Sequence, residues 1–377
     1  MDHLCPKSRY NPKMIFFSNP KAQYLARKEE FDLVIQEVLA GGNFVLGENV
    51  QAFENEFAGY IGTKYCVSVG SGTDALCIGL RGLEIGEGDE VIVPSHTATA
   101  TVAAIKLAGA RPVFVDVDPE YLTLDPSLIE KVITPNSKGV IAVHLYGQPA
   151  DMEGIKKVAQ QNNLRVIEDC AQSPGAVYKN IRVGGIGDLG CFSFYPTKNL
   201  GAFGDGGAIT TSDLILAQKI KKLRQYGWNE NRVSQFPGFN SRLDEIQAAV
   251  LRVKLKSLEK VNATRICLAN HYDQGLSSLP IKLSGKRPDC KHVYHLYVIE
   301  VENRDVLVEY LLSKGIKVGV HYPVPAHKMP AFAVDFKGVL PQTEFIVDRV
   351  ISLPVYPELD QTEQEKIVLN IEEFFIK

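Results

Sequence analysis

The chain is short of every feature that would set it apart from ordinary globular proteins. It has no apolar run near 18 residues, and its start, MDHLCPKSRYNPKMIFF, lacks the apolar core of a secretion signal. The seven cysteines, at 5, 66, 77, 170, 191, 267 and 290, are odd in number and form no C-x-x-C pair. That argues against a disulfide framework and against a structural zinc site, and leaves reduced thiols as the simple reading. A formal net charge of −3 gives no reason to expect a nucleic acid or membrane surface as partner. Internal repeats and low-complexity segments are also missing. What remains is a cytoplasmic enzyme or binding protein, and 377 residues suffice for one large domain with a smaller one attached.

From about residue 60 to 215, apolar runs alternate with helix-like segments. The strand candidates are YCVSV (65–69), EVIVP (90–94), RPVFVDV (111–117), GVIAVH (139–144), LRVIED (164–169), GCFSFY (190–195) and GAITT (207–211). Helices are expected at 73–83, 97–108 and 152–162. Several strands are continuously apolar, as strands covered on both faces are, so the fold class is α/β with a mainly parallel sheet wrapped by helices. The last two strands are joined by a loop too short for a helical crossover, so they must pair differently. From NSRLDEIQAAVLRV onward the pattern becomes one long helical stretch. After Pro280 follow a β-like run (292–301), a helix (304–314), a short strand (316–320) and further helices. The expected division is a large domain at 21–254 and a small α+β domain at 255–377, with residues 1–20 a candidate addition to the small one.

The stretch FSFYPTKNLGAFGDGGAI (192–209) holds one lysine, Lys198, between a strand end and a glycine-dense turn. A lysine that does chemistry commonly forms a Schiff base, and among cofactors the usual partner is pyridoxal phosphate. That cofactor needs a carboxylate at its ring nitrogen and amides with hydroxyls at its phosphate. Glu168-Asp169 ends an apolar strand, where ligands of open α/β sheets bind, with Gln172 three residues on as a donor to the ring hydroxyl. Taken alone, an acidic residue there is more often a cap. VGSGTDAL (69–76) follows a strand and opens a helix, so Gly72 and Thr73 offer free amides, and Ser193 offers a hydroxyl. This too, alone, reads equally as an N-capped turn. GIGDLG (185–190) matches a dinucleotide fingerprint by letters, but it precedes a strand instead of opening a helix and is read as a turn. Asp205 is read as fixing the glycine loop.

Together these segments resemble the DegT/DnrJ/StrS nucleotide-sugar aminotransferases, which are fold-type-I pyridoxal-phosphate enzymes. The resemblance spans nearly the whole chain, adding GNFVLGENVQAFENEFA, VIVPSHTATATVAAI, VHLYGQPADM, EDCAQSPGA, GFNSRLDEIQAA, HVYHLYV and GVHYPVPAHKMPAF. It implies that Lys198 carries the Schiff base and moves the proton, that Asp169 pairs with the ring nitrogen, and that Gln172 meets the ring oxygen. It places Gly72, Thr73 and Ser193 at the phosphate, joined by Asn240 reaching across the interface of a homodimer with shared active sites. His321 and Tyr322 would close on the substrate. The family often stacks an aromatic residue on the ring where this chain has Ala98, which leaves neighbouring His96 or plain packing to cover that face.

A dehydratase branch of the family has histidine in place of the lysine, so Lys198 favours transamination. A desulfurase would need a reactive cysteine on a mobile loop, and none has an obvious claim. A non-catalytic relative would have lost Lys198, Asp169 or the phosphate loop. The implied reaction takes nitrogen from L-glutamate through the pyridoxamine phosphate form of the cofactor to a nucleotide-linked keto sugar. Gly204-Asp205-Gly206-Gly207 is similar to members acting at carbon 3, which points to a dTDP-3-keto-6-deoxyhexose. A UDP-linked 3-keto sugar and a 4-keto-6-deoxy sugar are the alternatives.

Overall fold

Seven strands form the central sheet, and their side chains alternate between two separate cores. The structure is a computed structural model that describes residues 14–333 and 336–376. Three helices lead in: α1 (Pro20–Ala26), α2 (Lys28–Gly41) and α3 (Glu48–Ile61). Then come β1 (Tyr65–Val69), α4 (Gly72–Gly82), β2 (Glu90–Pro94), α5 (Thr99–Leu107), β3 (Arg111–Val115), β4 (Ser137–Val143), α6 (Met152–Gln161) and β5 (Arg165–Asp169). A small hairpin, β6 (Val177–Tyr178) and β7 (Ile181–Arg182), precedes β8 (Leu189–Ser193), β9 (Gly207–Thr211) and α7 (Leu214–Leu223). The remainder is α8 (Glu245–Leu255), α9 (Leu258–Leu276), β10 (Lys282–Leu283), β11 (Cys290–Lys291), β12 (Tyr297–Glu300), α10 (Arg304–Ser313), α11 (Pro341–Val347), β13 (Val350–Leu353) and α12 (Gln361–Ile376).

The large sheet runs β1-β9-β8-β5-β4-β2-β3. Only β9 is reversed: it pairs antiparallel with both β1 and β8, while the other pairings are parallel. The 194–206 connection contains no helix, as suits an antiparallel return, whereas a parallel crossover usually carries one. Val91, Val93, Ile141 and Val143 face one core with α4, α5 and α7, whereas Ile92, Val140 and Ala142 face a second with α3, α6 and α8. Burial on both faces explains why these strands read as unbroken apolar runs. Because β1, β2, β4, β5 and β8 point the same way, the loops after them meet along one edge. No helix among the described residues is long and apolar enough to cross a membrane.

A third core gathers Leu268 and Tyr272 of α9, Leu307 and Leu311 of α10, Ile299, Ile351 and Leu353 of β12 and β13, and Ile367 and Ile371 of α12. Ile15 joins it and bridges to Ile316. The rest of the N-terminal segment expected there, residues 1–13 with Cys5, lies outside the described residues. The six other cysteines are free thiols.

Three expectations need correction here. The long helical stretch breaks between α8 and α9, where the Ser257 hydroxyl donates to the Lys254 carbonyl (3.1 Å) and accepts from Arg27 (2.8 Å). A serine hydroxyl competing for a helix carbonyl is a local signal that apolar periodicity does not carry. The 292–301 run forms a strand only at Tyr297–Glu300. Before it the backbone leaves the sheet to bond the β4–α6 loop, with Val293 N–H donating to Gly147 (3.0 Å) and Leu296 N–H to Tyr146 (3.2 Å). The strand expected at 316–320 reduces to isolated bridges at Ile316 and Gly319, and β12 pairs instead with β13, whose four residues gave no distinct pattern.

Glu245, buried at the start of α8, ties the two helical layers together. Its carboxylate accepts from the Gly47, Asn49 and Val50 amides at 2.8–2.9 Å, satisfying the open N–H groups that begin α3. Glu245→Ala strands those donors in a buried site. The expected cost is about 2–4 kcal/mol, seen as a lower denaturant midpoint with an unchanged slope.

Candidate active site

A cavity of about 310 Å³ opens at the carboxyl ends of the parallel strands. Each wall comes from a different strand end. Gly72 and Thr73 begin α4 after β1, Ala98, Ala100 and Thr101 are at the start of α5 after β2, and His144 comes from the loop after β4. Asp169 ends β5 and Ala171 and Gln172 follow it; Ser193 ends β8, and Tyr195, Lys198 and Asp205 follow it. Six of the residues singled out in the sequence therefore face one space: Gly72, Thr73, Asp169, Gln172, Ser193 and Lys198.

At one end of the cavity is the start of α4. Ser71 caps the helix by accepting from the Asp74 amide at 3.1 Å, so the amides of Gly72 and Thr73 lie on the open, electropositive end. A Cβ on Gly72 would lie 2.6 Å from that of Ser193, and one on Gly207 would lie 2.2 Å from the Ser71 carbonyl oxygen. Both glycines are thus needed for β8, β9 and the helix start to close up.

Asp169 is buried at the base. Oδ2 accepts from the Thr101 hydroxyl (2.8 Å) and Oδ1 from the Ala171 amide (3.1 Å). Burial raises its pKa above the ordinary carboxylate value, against the opposing effects of these two bonds and of Lys198. Lys198 lies half-buried at the cavity wall, and Nζ has no hydrogen-bond partner among the described residues. Burial lowers its pKa from 10.5 to about 8, with Asp169 pulling the other way. The site therefore pairs an unusually acidic ammonium with a buried carboxylate of raised pKa.

Gln172 is held at both ends: Oε1 accepts from the Tyr146 amide (2.6 Å) and Nε2 donates to the Tyr322 hydroxyl (2.9 Å). The second Nε2 N–H makes no hydrogen bond among the described residues. Tyr322 is thereby joined to the site, while His321 lies behind it, with Nδ1 2.9 Å from Ser352 Oγ and its ring stacked on Phe17.

Four of the ten sequence-selected residues do not line the cavity: His321, Tyr322, His96 and Asn240. His96 is wholly buried, its Nε2 2.6 Å from Tyr146 Oη, and Ala98 occupies the wall in its place. Stacking by His96 is therefore not what this arrangement provides. Asn240 is exposed, beside Ser241, whose hydroxyl donates to Asp74 (2.7 Å) and accepts from the Gly70 amide (2.9 Å). Asp205, read as fixing the glycine loop, instead lines the cavity without a hydrogen bond among the described residues. The loop is held by Gln247, which accepts from the Phe203 amide at 2.9 Å.

Sequence reasoning missed Thr101, Tyr146 and His144. His144 Nδ1 accepts from the Ala150 amide (3.0 Å), so Nε2 carries the proton and donates to Glu168 (3.1 Å). Glu168 also accepts from the Gly184, Ile186 and Gly187 amides at 2.7–2.8 Å. His144, Glu168 and Cys170 bring ligand atoms within 4.8 Å of one another, but those four donors occupy the carboxylate. The group pins the 184–187 turn, which is the role the GIGDLG stretch has.

A lysine of depressed basicity, a buried carboxylate and a helix start, converging at the strand ends of an α/β sheet, define an enzyme that works through an amine. The chain belongs to the DegT/DnrJ/EryC1/StrS aminotransferase family, whose model matches residues 26–372. It is 44% identical over 370 residues to the dTDP-3-amino-3,4,6-trideoxy-alpha-D-glucose transaminase of Streptomyces venezuelae, covering 97% of this chain and 98% of that one. It is 43% identical to the UDP-N-acetyl-3-dehydro-alpha-D-glucosamine 3-aminotransferase of Acidithiobacillus ferrooxidans, covering 93% and 95%. Among solved structures, S. venezuelae DesV in complex with a ketimine intermediate superposes with a TM-score of 0.94 at 44% identity, covering 97% of this chain and 99% of that one.

Proposed function

We propose that the protein is a pyridoxal-phosphate-dependent aminotransferase acting on a dTDP-linked 3-keto-6-deoxyhexose, with L-glutamate as nitrogen donor. The observation that carries this reading is Lys198, its Nζ without a hydrogen-bond partner among the described residues and its pKa lowered to about 8, in one cavity with buried Asp169. The residues fit the cofactor. The Gly72 and Thr73 amides with Ser193 suit a phosphate, Asp169 suits a protonated ring nitrogen, and Gln172 has an N–H to spare for the ring oxygen. When bound, pyridoxal phosphate supplies an aldehyde that takes up amines and a cationic ring that withdraws electrons from the carbon bearing nitrogen.

Lys198 would hold the aldehyde and, once displaced by the incoming amine, accept and return a proton at Nζ. A pKa near 8 keeps a working fraction of neutral amine close to neutral pH. Asp169 holds its charge in position through Thr101 and Ala171 and so needs no reorganisation. Asn240, exposed beside the α4 start, is proposed to complete the phosphate site of a second subunit, which makes the working form a homodimer. His321 and Tyr322 are proposed to meet the sugar.

The dTDP-3-keto reading draws support from Gly204-Asp205-Gly206-Gly207 and from the likeness to the S. venezuelae transaminase. The likeness to the A. ferrooxidans enzyme makes a UDP-linked 3-keto sugar the second reading. The test loads the protein with pyridoxamine phosphate and adds a dTDP-3-keto-6-deoxyhexose, a UDP-linked 3-keto sugar and a dTDP-4-keto-6-deoxy sugar separately. The expected result is recovery of the visible absorbance of the aldehyde form with the first sugar alone. Recovery with another sugar replaces the substrate, and recovery with none overturns the assignment.

A further inference from the structure

Tyr146, which lines no part of the cavity, commits every polar group it has to a different segment around the site. Its amide donates to Gln172 Oε1 (2.6 Å), and its carbonyl accepts from the Leu296 amide (3.2 Å). Its hydroxyl donates to the His321 carbonyl. Having given away its one proton there, Oη can only accept from His96, 2.6 Å away, so His96 carries its proton on Nε2. Nδ1 of His96 is then a buried acceptor, and it has no partner among the described residues. The backbone at Tyr146 is left-handed (φ 62°), a conformation that a bulky residue adopts only when its surroundings hold it there.

The polarity of the network follows. With Gln172 Oε1 occupied by the Tyr146 amide, Nε2 must be the group facing Tyr322. Tyr322 Oη accepts from Nε2 and keeps its own O–H free to donate. We propose that Tyr146 is a positioning residue. Through its amide it orients Gln172, and through its hydroxyl it fixes the His321–Tyr322 turn, so that the free Tyr322 O–H is presented to the substrate. The two connections are separable, because only the second depends on the side chain. This inference rests on the reading of the cavity as the sugar-nucleotide site.

Tyr146→Phe keeps the ring and the amide and deletes the hydroxyl. In the cofactor-free protein, hydrogen–deuterium exchange of a peptide spanning 319–324 is expected to quicken about 5–50-fold, the scale of one or two buried hydrogen bonds. Affinity for pyridoxal phosphate, read by absorbance titration, stays within about threefold because the Gln172 contact remains. The KM for the keto sugar rises on the same scale as the exchange, while the glutamate half-reaction is unchanged. Unchanged exchange at 319–324 overturns the inference. So does a general loss of protection with cofactor affinity and both half-reactions weakened alike, since Tyr146 would then be packing only. Failure of the wild type with every sugar counts against the proposed function instead, and the exchange measurement still decides the role of Tyr146.

Discussion

Lys198→Ala abolishes turnover without unfolding the protein. The side chain makes no hydrogen bond among the described residues, and its ammonium is held where burial disfavours charge. A lysine whose pKa falls from 10.5 unfolded to about 8 folded opposes folding. The opposition is complete below pH 8 and fades as the pH rises from there to 10.5, where the unfolded chain also loses its proton. Alanine removes it, so the thermal midpoint at pH 7 should equal or exceed that of the wild type. Activity has no such reserve. Loss of the amine that would hold the cofactor and move the proton should lower the rate by at least ~10⁴-fold. Uptake of pyridoxal phosphate supplies a second readout. In the wild type it requires neutral amine and accelerates as the pH climbs through about 8, and in Lys198→Ala that pH dependence disappears. Turnover near the wild-type level would overturn the assignment of Lys198 and of the cavity with it.

Much of the site was legible because the fold concentrates its chemistry at strand ends, and strand ends are readable. Val91-Ile92-Val93 and Val140-Ile141-Ala142 announce strands buried on both faces, so whatever follows them lies on the ligand-binding edge. That logic put Asp169, Ser193, Lys198, Gly72 and Thr73 on this edge, and the family resemblance gave them their roles. The supporting contacts follow no period. Thr101 meets Asp169 from 68 residues away, and within TATATVAAI it looks like any helix threonine. The importance of Tyr146 lies in a left-handed backbone and four long-range bonds, none of which has a sequence signature. Of the two ways offered to cover the ring face, plain packing was one and His96 the other. It and Ala98 flank Thr97 on a chain entering α5, and the turn buries the histidine and leaves the alanine on the cavity wall. β13 is too short to announce itself and exists because β12 offers it an edge.

Asp169→Asn separates charge from shape at the other pole of the site. The carboxylate sits at the end of a hydroxyl chain, Thr97 to Thr101 (2.9 Å) to Asp169 (2.8 Å). An asparagine placed with its carbonyl on the Ala171 amide can donate to Thr101, which then turns its proton toward Thr97. Each group keeps a partner, so the substitution leaves no orphan in the core. It also deletes a buried charge. An aspartate whose pKa is raised by folding weakens the fold increasingly as the pH rises from 3.8 through its folded value, and the penalty stands in full above that value. The cofactor-free Asp169→Asn protein should therefore melt no lower than the wild type at pH 7. Function should move the opposite way. Breaking a buried charge pair costs about 3–5 kcal/mol, so affinity for pyridoxal phosphate and the rate of the glutamate half-reaction should together fall by roughly 10²–10⁴-fold. Equal stability with normal activity would mean that the cation facing this carboxylate is not a ring nitrogen. Lower stability would instead make Asp169 a structural anchor for Thr101 and Ala171, a role that the reversible hydroxyl chain argues against.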